Sequence, residues 1–292
     1  MIWSQYKTLY NNALKQYSPK FKQELQKQVN TFCSTQNYNA ISDKALKQTI
    51  KKLHLSMGNR MAGIAYKDVK KGSKSFFTTI ETKSTQTDIW SYTILQYLNT
   101  KGLDQLASDI TDTTKEQIKR FMAQGYEQNM TTQEIIDLLK TSGITDYRAE
   151  LIARTETARA ANVGSMVGAM STGLVTVKEW IATKDNRTRR FPRDSADHLD
   201  MDGVKVPIDA KFQVNGKGFI DFMLHPGDST AHAANVCNCR CTLGYEAVRD
   251  SNGKLMQLQN NPPHGDAGLI YGLLGNLMGM QIGNLIADAL KD

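Results

Sequence analysis

The sequence predicts an α+β protein in which a helical N-terminal region is followed by a small antiparallel-sheet module with long loops. Three observations support this fold class. Helix-capping patterns and apolar residues at helical spacing run from residue 1 to about 170. Short alternating apolar runs, which are typical of strands, begin after about residue 173. Residues 183–203 and 223–241 are poor in such runs and are predicted to be loops.

Capping residues and apolar spacing predict where the helices begin and end. Ser18 followed by Pro19 predicts a helix over 20–32, because proline is favoured at the first helical position. Ser42 and Asp43 predict the start of a second helix, and residues 69–84 show no clear period and are expected to be a connection. The other expected helices are a stripe at three-residue spacing (Ile89, Tyr92, Leu95 and Leu98), the segment 103–129, a short helix behind a capping box at Thr131 and Glu134, and a helix from Asp146 to about Ser171.

The strands are expected over 175–182 and 204–208, followed by a hairpin. Phe212 and Val214 are predicted to face one side of that hairpin. After a turn at Asn215 and Gly216, Ile220 and Phe222 are expected to face the same side. We therefore expect three segments: a basic helical region over 1–100, the mixed module over 101–248, and a linker with a glycine-rich tail helix over 249–292.

Positive charge is concentrated near the N-terminus. The net charge is +7, and residues 1–84 hold 15 Lys and Arg against 4 Asp and Glu, leaving 21 against 25 in the remainder. Such a region favours an acidic partner, either nucleic acid or an acidic protein surface. The candidate contacts are Lys44, Lys47, Lys51 and Lys52. The alternative interpretation is a solvated, lysine-rich helical face.

Three of the four cysteines lie within five residues, at Cys237, Cys239 and Cys241. This crowding does not suit a disulfide framework, and the N-terminus shows no pattern typical of a secretory signal. The three thiols together with His198 (or with His225 or His232) are a candidate zinc site, provided that a tight turn brings the sulfurs together. The alternatives are two small buried cysteines with Cys237 free, or a disulfide.

An ordered series of short motifs extends across the predicted module. The series comprises Arg154-Thr-Glu156 with Asn162, Lys178-Glu-Trp180, Asp185-x-Arg187-x-Arg189, His198, Asp202-Gly203, Pro226-Gly-Asp228 and Asn238-Cys-Arg-Cys241. Over roughly residues 110–245 this series resembles the C-terminal module of MuF-type phage minor head proteins, the phage head morphogenesis family. Two departures from the family pattern are a longer segment before His198 and the additional Cys237.

The resemblance implies a structural minor capsid protein of a tailed bacteriophage or prophage, and no enzymatic activity. Such a protein would lie inside the head near the portal, in the virion and, during assembly, in the host cytoplasm. It would assist head assembly and DNA packaging and take part in genome ejection. The implied partners are the portal protein, the major capsid or scaffolding protein, and phage DNA.

The polar motif residues have two interpretations. One is a structural network that fixes the long loops, made of Arg154, Glu156, Asp185, Arg187, Arg189, His198 and Asp202. In that network Glu156 can pair with Arg159 one turn further along its helix. The other interpretation is an enzyme, a nuclease or a toxin-like transferase, that uses Asp185, His198 and Glu156 for acid–base or metal chemistry. No nucleophile elbow or glycine-rich phosphate loop accompanies them.

The tail contains 21 residues without charge, over 267–287. Its glycines recur at three- or four-residue spacing, at Gly268, Gly272, Gly275, Gly279 and Gly283. Small residues on one helix face permit close helix–helix approach, so we expect a helix that docks on a partner. The alternative is a membrane-inserting ejection segment with transient membrane contact, because the length would span a bilayer core.

Overall fold

The computed structural model describes residues 3–71 and 83–257, together with Gly272. In those ranges the helices are α1 (Trp3–Thr35), α2 (Lys44–Val69), α3 (Lys83–Thr100), α4 (Leu103–Glu127), α5 (Thr132–Thr141), α6 (Asp146–Met170) and α7 (Ala233–Val236), with a 3-10 turn at Tyr38–Ala40. The strands are β1 (Thr176–Ile181), β2 (Lys205–Pro207), β3 (Phe212–Gly216), β4 (Phe219–Met223) and β5 (Thr242–Ala247). This order confirms the α+β class.

The first helix begins much earlier than the sequence predicts. Pro19 lies inside α1 instead of at its start, so the predicted start near residue 20 is wrong. Proline in a helix interior removes one hydrogen bond and costs about 3 kcal/mol. That cost is offset by a buried stripe along α1, which consists of Tyr6, Tyr10, Ala13, Tyr17, Phe21, Leu25, Val29 and Phe32.

Of two further local predictions, the apolar stripe on α3 needs a correction and the capping box before α5 is confirmed. Ile89 and Leu98 of the predicted stripe on α3 are buried, but Tyr92 is 46% exposed, and the buried face also includes Trp90 and Ile94. The capping box before α5 is confirmed, because the Thr131 hydroxyl accepts from the Glu134 amide and the Glu134 carboxylate accepts from the Thr131 amide.

Helix α6 lies at the centre of the molecule and crosses α2 at very close range. A Cβ atom on Gly164 would lie 2.2 Å from the carbonyl oxygen of Gly58, and one on Gly168 would lie 2.1 Å from that of Ala62. The two backbones are therefore in contact through small residues. Residues 155–170 of α6 are all buried, because α1 and α2 cover one side and the sheets cover the other.

The strands form two antiparallel sheets. One has the order β2-β1-β5, and the other is the β3-β4 hairpin. Phe212 pairs with Met223 and Val214 pairs with Asp221. Residues opposite each other share a face, so Asp221 and Met223 point inward.

The predicted inward positions of Ile220 and Phe222 are therefore wrong. These side chains are 55% and 59% exposed. The turn is at Lys217 and Gly218, two residues after the predicted one, and Gly218 has a φ of 82°. The error is one of parity, because a two-residue turn places even-numbered residues opposite odd-numbered ones, so Phe212 and Val214 share their face with Asp221 and Met223.

The predicted segment boundaries stay predictions, although helices on both sides of residue 100 share one hydrophobic core. Residues 72–82 of the predicted connection lie outside the described residues, as do Gly268, Gly275, Gly279 and Gly283 of the tail. Gly272 is described and is exposed. Within the described ranges, no helix combines the length and the apolarity needed to span a membrane.

Candidate functional site

One face of α6 holds the loops of the sheet module through polar side chains. Thr155, Arg159 and Asn162 lie at positions i, i+4 and i+7, so they share that face. Their partners are main-chain groups of the segment 226–241. The Thr155 hydroxyl accepts from the Asn238 amide at 2.8 Å, and Arg159 Nε donates to the Gly227 carbonyl at 3.0 Å. The Asn162 amide donates to the carbonyls of Pro226 and Cys241 at 2.9 and 3.1 Å.

Glu156 points toward α2. Its carboxylate lies 3.1 Å from His54 Nε2 and accepts from Arg159 Nη1 at 2.7 Å, which is the pair expected from the sequence. Burial opposes ionisation of Glu156, but the charge of Arg159 and the bond to His54 lower its pKa. Glu156 is therefore a buried carboxylate that links α6 to α2.

The cysteine segment turns sharply before β5. Helix α7 ends at Val236, and Asn238 follows with a left-handed φ of 58°, a conformation that asparagine tolerates better than most residues. The sulfurs of Cys239 and Cys241 then both lie 3.6 Å from His198 Nδ1. All three side chains are at most 3% exposed. In the structure the four cysteines are free, so the disulfide alternative is wrong.

A chain of hydrogen bonds leads from His198 to the protein surface. His198 Nε2 lies 3.0 Å from Asn235 Oδ1, and Asn235 Nδ2 donates to Asp221 at 2.6 Å. Asp221 also accepts from Nδ1 of His232, at 2.7 Å, and from the His232 main-chain amide. An ionised carboxylate can only accept, so the Asn235 amide nitrogen must face Asp221 and its oxygen must face His198. His198 therefore carries its proton on Nε2.

The charge states follow from these contacts. Burial opposes ionisation of Asp221, but the bonds from Asn235 and His232 lower its pKa. The Cys241 thiol donates to Cys239, and this bond, with the nearby His198 and Arg189, lowers the pKa of Cys239 well below its ordinary value against the effect of burial. The same bond and burial raise the pKa of Cys241.

The loop that carries His198 is tied to the cysteine segment at two further places. Arg240 forms a two-pronged ion pair with Asp185, which lowers the pKa of that carboxyl. The Arg189 guanidinium donates to the Cys237 carbonyl, while the Arg189 carbonyl accepts from the His198 amide at 3.0 Å.

Three other predicted residues have separate positions. Asp202 accepts from the Ala182 amide at 3.0 Å and pairs with Lys184. The exposed Arg187 contributes its main-chain amide to Asp185. Arg154 pairs with Glu150 on the same helix, so the structure does not bring it into the network.

Cys237 also lies apart from the buried thiols, because its side chain is exposed. The group of candidate metal ligands in the described part of the chain contains His198, Cys239 and Cys241 without it. The alternative histidines are engaged elsewhere: His225 Nδ1 lies 3.0 Å from the Pro226 carbonyl, and His232 binds Asp221.

A second buried polar group lies under the sheet. The Lys178 ammonium is buried and donates to the Leu224 carbonyl at 2.8 Å, above the ring of Phe212. Burial lowers the pKa of Lys178 to about 7. Asp228 closes the same turn by accepting from the Leu224 and Thr230 amides.

Sequence reasoning missed Asp221, Asn235 and Arg240 as members of the site. The sequence could have indicated Arg240, because it lies between the two cysteines and offers a cation for Asp185. Asp221 gave a weaker signal, because it stands between Ile220 and Phe222, the two hairpin residues that were expected to point inward.

Comparison with known protein families gives a match over the part of the chain that contains this site. Residues 113–244 match the family model described as Phage Mu protein F like protein. No curated protein and no solved structure gives a significant match. The matched range contains α6, strands β1 to β4, the first three residues of β5, the His198 loop and the cysteine segment. It confirms the resemblance inferred from the sequence over this range: residues 113–244 are similar to the Phage Mu protein F like family, the MuF-type phage head morphogenesis proteins.

Proposed function

We propose that this protein is a structural minor capsid protein of a tailed bacteriophage or prophage. It lies inside the head near the portal, where it assists head assembly and DNA packaging and takes part in genome ejection. The observation that carries the proposal is the family match over 113–244, which covers α6 and every loop bound to it.

The roles of the polar side chains support a scaffold. Thr155, Arg159 and Asn162 bind main-chain groups of neighbouring loops, which fixes shape and leaves these side chains engaged within the protein. A general acid or base must instead reach a proton of the substrate. The motif residues of α6 therefore fit a rigid assembly module.

The enzyme alternative has less support from the geometry. Asp185 is bound by Arg240, Glu156 by His54 and Arg159, and His198 by the buried thiols and Asn235. Each of the three candidate catalytic side chains thus has its own set of partners, and two of them are almost fully buried. They do not converge on one accessible point.

The basic helices offer a contact for an acidic partner, which we take to be phage DNA or an acidic face of the portal. Lys44 and Lys52 are exposed on α2, and Lys51 is half-buried. Lys47 pairs with Asp104, so it is the least available of the four. A contact of this kind should weaken as salt rises, because screening and counterion release both oppose it.

A cryo-EM difference map tests the proposed location. Heads that contain the chain would be compared with heads from a phage in which its gene is deleted, without imposed symmetry at the portal vertex. We expect extra density inside the head against the portal, into which the α6 module can be fitted. Density on the outer shell, or virions without the chain, would contradict the proposal.

A further inference from the structure

We propose that His198, Cys239 and Cys241 bind a zinc ion through His198 Nδ1 and the two cysteine sulfurs. The site would join the loop over 183–203 to the segment over 237–241, which also meet through the Arg240–Asp185 ion pair and a few hydrogen bonds. This inference does not depend on the capsid role proposed above, because it rests on the local arrangement of these side chains.

The distances fit a tetrahedral ion. Both sulfurs lie 3.6 Å from His198 Nδ1, and the three candidate ligand atoms lie within 4.8 Å of one another. Tetrahedral zinc, with Zn–S near 2.3 Å and Zn–N near 2.0–2.1 Å, places the nitrogen and each sulfur about 3.6 Å apart. A hydrogen bond explains one such contact, because Nδ1 has one lone pair and can accept along one direction. Two equal contacts are what an ion between the three atoms would produce.

The surrounding residues prepare the imidazole for this role. The chain from Asp221 through Asn235 keeps the proton of His198 on Nε2, which leaves the Nδ1 lone pair directed at the sulfurs. Metal-bound histidines usually donate their other nitrogen to such an acceptor, and that partner fixes both the tautomer and the ring orientation. Trp180 packs edge-on against the ring, with 5.4 Å between centroids, and limits its rotation.

Charge and burial also favour a cation. A buried thiolate is costly unless a positive charge or a metal compensates it. One zinc ion would neutralise two thiolates in a place where the three side chains are at most 3% exposed. Three protein ligands leave the fourth position to a solvent-derived ligand. Cys237 is exposed and outside the set, so the site uses two of the three crowded cysteines.

Zinc analysis of the intact chain tests the proposal. The full-length protein would be produced with zinc, passed over a desalting column under reducing conditions, and analysed by inductively coupled plasma mass spectrometry. We expect about one zinc per chain for the wild type and for the matched control Cys237→Ser. Cys241→Ser should lose the ion. A wild-type chain without stoichiometric zinc would overturn the proposal, and loss of zinc from Cys237→Ser would overturn the three-residue assignment.

Cys241→Ser could lose zinc simply by failing to fold, so a measurement on the wild type is needed as well. X-ray absorption at the zinc edge should show two sulfur neighbours near 2.3 Å and nitrogen or oxygen neighbours near 2.0 Å. A shell without sulfur, or with four sulfurs, would contradict the site. The Asn235→Ala chain, with its ligands intact, should bind zinc about tenfold or more weakly. Unchanged affinity would remove Asn235 from the proposal.

Discussion

The α2–α6 crossing and the cysteine segment are two regions that contact the same helix by opposite means. At the crossing, Gly164 and Gly168 bring the backbone of α6 against the backbone of α2 at Gly58 and Ala62. On the other side of α6, Thr155, Arg159 and Asn162 hold loops through hydrogen bonds to main-chain groups. The crossing depends on glycines that have no Cβ atom. The polar side of α6 depends on side chains that each find a hydrogen-bond partner in the neighbouring loops. They should therefore respond to different perturbations.

The largest effect is expected at the crossing. A methyl group on Gly164 would lie 2.2 Å from the Gly58 carbonyl oxygen, which cannot move without shifting α2. We expect Gly164→Ala to lower the free energy of unfolding by about 3 kcal/mol or more, since overpacking against backbone has no easy relief. Urea denaturation followed by circular dichroism measures the change.

Gly63→Ala on α2 is the matched control. Its methyl group would meet Trp90 at 3.6 Å, an ordinary contact, so the better helix propensity of alanine should make this variant neutral or slightly stabilised. Equal destabilisation by both substitutions would show that the close crossing is not the cause.

A smaller and more local effect is expected on the polar side of α6. Asn162→Ala leaves the Pro226 and Cys241 carbonyls without their donor and should cost about 2 kcal/mol. Amide hydrogen exchange should speed up in residues 224–241, while α1 and α2 keep their protection. Uniformly faster exchange would indicate that the two regions are not separable.

The buried Lys178 gives the polar region a pH dependence. Its pKa is about 7 in the folded protein because of burial, against an unfolded value near 10.4. Between these values the unfolded chain binds the additional proton, so this residue makes stability rise with pH by up to about 1.4 kcal/mol per unit. The nearby charges are Asp209, Asp228 and Lys211.

Lys178→Met should remove that part of the slope. Urea denaturation of both proteins at pH 7, 8 and 9, with a reductant present, gives the difference directly. We expect the variant to gain on the wild type at pH 7 and the gap to shrink at pH 9. Parallel pH profiles for the two proteins would show that Lys178 is not the buried base described here.

The sequence predicted local features of the fold correctly and failed where contacts between distant residues decide the structure. The capping box at Thr131 and Glu134 needs only four residues, and it was predicted correctly. The start of α1 was wrong because the local signal at Pro19 is overridden by burial of a long apolar stripe. The hairpin register was wrong because Asp221, a polar residue, points inward to partners that follow later in the chain.

The site itself was predicted in part. His198, Cys239 and Cys241 were identified from their types and crowding, but Asn235, which fixes the tautomer of His198, has no local signal. The small residues Gly164 and Gly168 were visible at four-residue spacing, as were Gly58 and Ala62, yet their meeting depends on how two helices distant in sequence cross. Pairings over such separations need the fold before they can be assigned.

The central claim is that the motif residues of the Phage Mu protein F like module have a structural role. Phages carrying Glu156→Gln or Asp185→Asn, with Arg154→Ala as a control outside the network, would be compared for infectivity and for the unfolding temperature of the purified chain. We predict that the loss of infectivity follows the loss of stability across the three variants. A variant with wild-type unfolding temperature and normal incorporation into heads, but without infectivity, would contradict the claim and favour catalysis.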